Sequence, residues 1–164
     1  MKNGNCSVPS DTSTKKHACN TVIDKQAYYR GAAIFHLVDD ERMETVVRVR
    51  PGFLINDEVF VLIKYTAKLS TPWQFTFSPT ERDSIDKQHR DYLVVLALVC
   101  GDDGICAVRW DDVASIVDNP ATWIAVHRKV NKRYKITGNG GEMQGRVPRN
   151  HWPGVVFDRG LDKR

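Results

Sequence analysis

The chain has 164 residues, enough for one ordinary domain and too few for two comfortable ones. Its composition, 41% hydrophobic and 27% charged, is that of a globular protein, and its longest apolar run, Tyr92–Cys100, is too short to span a bilayer. The net charge of +4 permits a phosphate-rich partner without demanding one.

Residues 1–20 are polar and aperiodic and read as a disordered leader, and 21–164 read as a single α/β domain. No N-terminal apolar stretch resembles an export signal. Cys6, Cys19, Cys100 and Cys106 are therefore expected to be thiols in a reducing cytoplasm, and the spacing of the first two, with His17 beside them, fits no common zinc pattern.

In chain order, 22–38 reads as an amphipathic helix with Ile23, Ala27, Ile34, Leu37 and Val38 on its apolar stripe; Gly31 is expected to allow close packing on a sheet. Residues 44–50 alternate as a half-buried strand, with Val47 and Val49 on one face and Arg48 and Arg50 on the other. Pro51-Gly52 turns into the short strand Phe53–Ile55, and Asn56-Asp57 is a tight turn. Val59–Thr66 follows, apolar on both faces and so central. A link carrying Lys68 leads to alternating Trp73, Phe75 and Phe77. Ser78-Pro79-Thr80-Glu81 is a capping box with proline at the first helical position; it opens a surface helix to about His89 whose apolar side is little more than Ile85.

Tyr92–Cys100 reads as a buried strand, hairpinned through Gly101–Gly104 to Ile105–Trp110. A short helix over Val113–Val117, capped by Asp111 or Asp112 and ended by Asn119-Pro120, precedes strands over Thr122–Arg128 and Tyr134–Thr137. The turn between them is a basic hairpin tip; beyond it the tail is irregular, with Trp152 or Phe157 docking on the core. The expected fold is α/β (α+β), a central mixed β-sheet flanked by helices.

Lys64 is the most unusual residue, a lysine inside an apolar strand. Either its stem lies along apolar surface and its ammonium reaches water, or the charge faces a phosphate or carboxylate. For nucleic-acid contact the candidates are Arg48 and Arg50 on one strand face, Lys68, Trp73 as a stacking platform or a core residue, and Lys129, Lys132 and Arg133 in the basic turn. Arg128, Lys135, Arg146 and Arg149 extend that cluster. Turn chemistry accounts for Asp102 and Asp103, and no set of histidines and acids has metal-ligand spacing.

The order of these pieces, with Leu62-Ile63-Lys64 in the strand that closes the antiparallel group, resembles the core of the PD-(D/E)xK nucleases, the restriction-endonuclease-like or Holliday-junction-resolvase-like fold. That resemblance covers about ninety residues and implies the order helix–three strands–helix–two strands. It also implies two acids holding a divalent cation, with the lysine orienting the attacking water. The acidic motif is degenerate here: Leu62 stands where the family has Glu or Asp, leaving Asp57 and Glu58 as candidate catalytic acids with Lys64. The expectation is a nucleic-acid-associated protein with a nuclease-like core, a Mg2+-dependent phosphodiesterase if active, with DNA or RNA as partner and no membrane. The alternative is a catalytically inert protein–protein interaction module presenting Trp73 and Trp110. The nuclease reading further places a carboxylate within about 6 Å of Lys64 Nζ.

Overall fold

The computed structural model describes residues 22–117 and 122–158; the leader, its two cysteines, Asn119-Pro120 and the last six residues lie outside them. Among the described residues the elements begin with α1 (Lys25–Val38), β1 (Val46–Val49), β2 (Gly52–Ile55), β3 (Val59–Thr66) and β4 (Trp73–Thr76). They continue with α2 (Pro79–Gln88), β5 (Leu93–Cys100), β6 (Ile105–Arg109) and α3 (Trp110–Val113), which a 3-10 turn extends. The last are β7 (Trp123–His127), β8 (Lys135–Gly138), β9 (Gly141–Glu142) and α4 (Gly154–Phe157).

The fold is mixed α/β. A five-stranded mixed sheet runs β1-β2-β3-β5-β6; β3 and β5 are parallel, and the other pairs are antiparallel. The β2–β3 turn places Asn56 and Asp57 at φ 50° and 54°, left-handed conformations that Asn and Asp tolerate, and Glu58 N closes it on Ile55 O at 3.0 Å. The parallel pair needs a crossover, and α2 lies within it. The expected capping box forms: Ser78 Oγ accepts from Glu81 N, and the Glu81 carboxylate accepts from Ser78 N.

Side chains of β3 alternate between two apolar layers. Val59, Val61 and Ile63 pack with Tyr29, Ala33 and Leu37 of α1 and with Val155 and Val156 of α4. Phe60 and Leu62 face the other way, towards Trp73, Phe75, Ile124, Val126 and Ile136. That second layer is a separate antiparallel sheet, β4-β7-β8-β9, which the sequence analysis did not anticipate. Its reason is physical. The only buried residue of α2 is Ile85, so one polar helix cannot cover the apolar faces of β3 and β5, and a second sheet does.

Several local expectations need correction. Ile23, which precedes α1, and Ala27 and Val38 on it are exposed, and the buried face of α1 is Tyr29, Ala33 and Leu37 at successive four-residue steps. A Cβ on Gly31 would meet nothing within 4 Å, so this glycine packs against no sheet. β1 is an edge strand, not half-buried, with Val46 and Val47 largely exposed. The helix expected over Val113–Val117 begins at Trp110 without a side-chain cap. Gly141-Glu142 forms β9, and the tail is not irregular throughout: α4 forms, and Trp152 docks with its indole N–H on Ala33 O at 3.2 Å. No helix among the described residues is long and apolar enough to cross a membrane.

The reassigned helix face is directly testable. Leu37→Ala is expected to destabilise the domain by about 2–5 kcal/mol, because it opens a cavity under β3. Ile23→Ala is expected to change stability by less than about 0.5 kcal/mol. Denaturant unfolding of the two variants measures both.

Candidate functional site: a basic concavity beside a carboxylate hub

Lys64 points from β3 towards the start of α2. Its Nζ lies 2.8 and 2.7 Å from the two oxygens of the Glu81 carboxylate and 5.2 Å from the centre of the Phe77 ring. A carboxylate thus stands within the expected reach, but it belongs to the helix-capping glutamate. Both side chains are mostly withdrawn from water, 17% and 18% exposed. Burial alone would raise the Glu81 carboxyl, but hydrogen bonds from Lys64 and Ser78 and the Lys64 charge outweigh it and hold it below its ordinary value.

Asp57 occupies the β2–β3 turn, and Glu58 lines a separate concavity with Arg42 and Phe157. Lys64 is six residues from Glu58 along β3, roughly 20 Å for an extended strand. The structure therefore does not bring the three candidate catalytic residues together. Leu62, in the place of the family's acid, is buried and carries no oxygen. Glu81 is committed to Lys64 and to its helix N-terminus. These residues do not fit a magnesium site, and among the described residues no group of three or more His, Cys, Asp or Glu side chains is placed to hold a metal ion.

Trp73 is only 3% exposed and donates its indole N–H to Lys68 O, which leaves no face for a base to stack on; Trp110 is equally buried and offers a partner no surface. Lys68 is exposed, and its ammonium is turned onto Pro72 O at 2.8 Å. Arg48 lies over the Phe53 ring on edge strand β1, and Arg50 sits in the turn after it. Neither lines the basic concavity described next.

That concavity, of about 860 Å³, is lined by Arg128, Lys129, Lys132, Arg133, Lys135 and Arg146, with Thr71, Pro72, His127 and Asn131 completing it. No carboxylate is among the lining residues. The turn joining β7 to β8 is closed by Lys132 N donating to Lys129 O, with Asn131 in the left-handed conformation at φ 59°. Lys135 and Arg146 share Glu142, at 2.6 and 2.9 Å. Lys129, Lys132 and Arg133 are exposed and make no ion pair among the described residues.

The turn is fastened to the core by Asp103, for which the sequence suggests turn chemistry alone. Arg128 reaches both Asp103 carboxylate oxygens, Nε to Oδ2 at 2.7 Å and Nη2 to Oδ1. The fully buried Tyr134 hydroxyl donates to Oδ2 at 2.9 Å, and Arg149 donates to the Asp103 carbonyl. Arg128 hydrogen bonding holds the Asp103 carboxyl below its ordinary value, against the opposing effect of burial, while burial and then the Asp103 contact push the Tyr134 phenol upward. Gly104 makes room for this: a Cβ there would lie 2.9 Å from the Tyr134 hydroxyl. Arg128 and Asp103 are 25 residues apart and Lys64 and Glu81 are 17 apart; sequence spacing signalled neither pair, although the capping box did place Glu81 at a helix start.

Removing either carboxylate should register in acid stability. Glu81 and Asp103 both titrate below their ordinary values of 4.5 and 3.8. Their contribution is therefore complete above those values and is lost as pH falls through the lower folded-state ones. Asp103→Asn is expected to cost about 2–4 kcal/mol at neutral pH and to flatten the loss of stability as pH falls below the ordinary Asp value of 3.8. Urea unfolding across the acid range checks both the size and the slope.

Comparison of the chain with protein-family models, curated proteins and solved structures finds no match.

Proposed function

We propose that the protein binds the phosphate backbone of a nucleic acid in the basic concavity, on a nuclease-like core whose acidic motif is degenerate. One observation carries the reading: six cationic side chains line a single hollow without a carboxylate among them, three of them free of ion pairs among the described residues. Sequence-independent binding to nucleic acid needs such a clustered surface of positive charge. The resemblance to PD-(D/E)xK nucleases is supported by the antiparallel group β1-β2-β3, which ends in the Lys64 strand and lies beside the long buried β5. In this reading Lys64 is structural. It neutralises Glu81 and ties the start of α2 to β3.

The test is salt-dependent binding of a labelled single strand. Contacts from Lys129, Lys132 and Arg133 predict a slope of log K against log salt near −2, from about −0.7 per phosphate neutralised. Replacing all three with alanine is expected to weaken binding by about tenfold or more and to flatten the slope. The Arg48→Ala/Arg50→Ala double variant should bind like wild type, and equal loss in the two variants would contradict the assignment. In magnesium, wild type and Lys64→Met should treat the strand alike. Cleavage by wild type that this variant loses would make Lys64 catalytic.

A further inference from the structure

A second hollow, of about 570 Å³, adjoins the basic concavity, and Arg146 lines both. It lies along the outer edge of β6, roofed by the chain from Met143 to Pro148 and by the start of α4. Its size is that of a small-molecule site, roughly 300–1,000 Å³.

The lining differs in kind from that of its neighbour. Val108, Met143, Val147 and Val155 make an apolar floor and walls. Gln144 and His151 bring hydrogen-bonding groups of both senses, the amide donating and accepting; Arg109, Asp112 and Asp158 also line the hollow, with Asp158 engaged by Arg42 and Arg109. The lining is mixed in charge, with Asp112 and Asp158 as well as Arg109 and Arg146, and burial and then the Arg109 charge hold His151 below its ordinary value, which favours the neutral ring. An anion is favoured less by this mixed lining than by the all-cationic charges of the neighbouring hollow. The two hollows together suit a ligand with a flat, uncharged, hydrogen-bonding ring joined to phosphates.

We infer that this second hollow receives an unstacked base of the strand whose phosphates lie in the basic concavity, with Val108, Met143 and Val147 against the ring and Gln144 and His151 on its edge. The inference rests on the proposed strand binding and adds a base-recognition site to it. Single-stranded nucleic acids are recognised by bases splayed out of the stack into such pockets.

The experiment compares two labelled strands of about twelve nucleotides and equal charge, one of mixed sequence and one of abasic deoxyribose phosphate, a length within the usual site sizes for single strands. Wild type is expected to bind the base-containing strand about tenfold more tightly. Gln144→Leu and His151→Leu conserve charge near pH 7 and approximate volume; each is expected to cut that preference to about threefold or less, with abasic binding unchanged. Gln144 is exposed, so its variant does not depend on a core substitution being tolerated. Equal binding of the two strands by wild type would overturn the base pocket and leave the basic concavity standing. A preference that neither variant alters would place base contact elsewhere and overturn the assignment. Failure of both strands to bind would overturn both readings. A nucleoside monophosphate binding as tightly as the strand would make a free nucleotide the ligand and overturn the strand assignment.

Discussion

β3 and β5, side by side in parallel, are apolar on both faces, and the rest of the structure answers that constraint. A pair buried on both sides needs two covers. One is α1 with α4, packed on Val59, Val61 and Ile63. The other cannot be α2 alone, whose only buried side chain is Ile85, so the chain leaves the first sheet after β3 and starts a second with β4 before returning through α2 to β5. Each fully buried large side chain in these layers contributes about 1.5–3 kcal/mol, more than any exposed ion pair in the molecule can. The second sheet therefore exists for the core, and the candidate site rests on its far end.

Two ion-pair systems join the layers, and they differ in consequence. Lys64–Glu81 ties α2 to β3 and disposes of a charge inside an apolar strand. Arg128–Asp103–Tyr134 fastens the turn between β7 and β8 to the β5–β6 hairpin, with Trp73 set edge-on to Tyr134 beneath it. Arg128 is fixed in this way, leaving Lys129, Lys132 and Arg133 to project from a fastened base. Preorganised cations lose less side-chain freedom on meeting an anion than cations on a loose loop would. The turn thus presents its exposed cations from a fixed backbone.

What could be read from sequence was local. Alternation in Val59–Thr66 assigned both faces of β3 correctly, and Ser78 to Glu81 gave the start of α2. The basic cluster around Arg128–Lys135 was visible as composition, and it is the cluster that lines the hollow. Where two faces of a segment were both plausibly apolar, the pattern was ambiguous. The helix expected over 22–38 put Ile23 and Val38 on its apolar stripe, but the face of α1 buried against β3 is Tyr29, Ala33 and Leu37. Alternation in Trp73–Phe77 showed which side chains turn inward but not that they belong to another sheet, because that depends on which apolar surface elsewhere lacks a cover. Asp103 and Glu81 each had a sufficient local explanation, in a turn and in a cap, and local explanations conceal long-range partners. Leu62 stands where the resemblance to the nucleases would place an acid, and that departure was legible in the sequence itself.

We propose that a nucleic acid meets this protein at the end of the second sheet that carries the basic turn. Backbone amide chemical shifts, followed while a short single strand is titrated in, test it most directly. The account predicts shifts concentrated in residues 127–135 and 142–147, with β1 and the Asp57-Glu58 turn still. Shifts centred instead on Arg48, Arg50 or the surroundings of Lys64, with the basic turn unmoved, would contradict it.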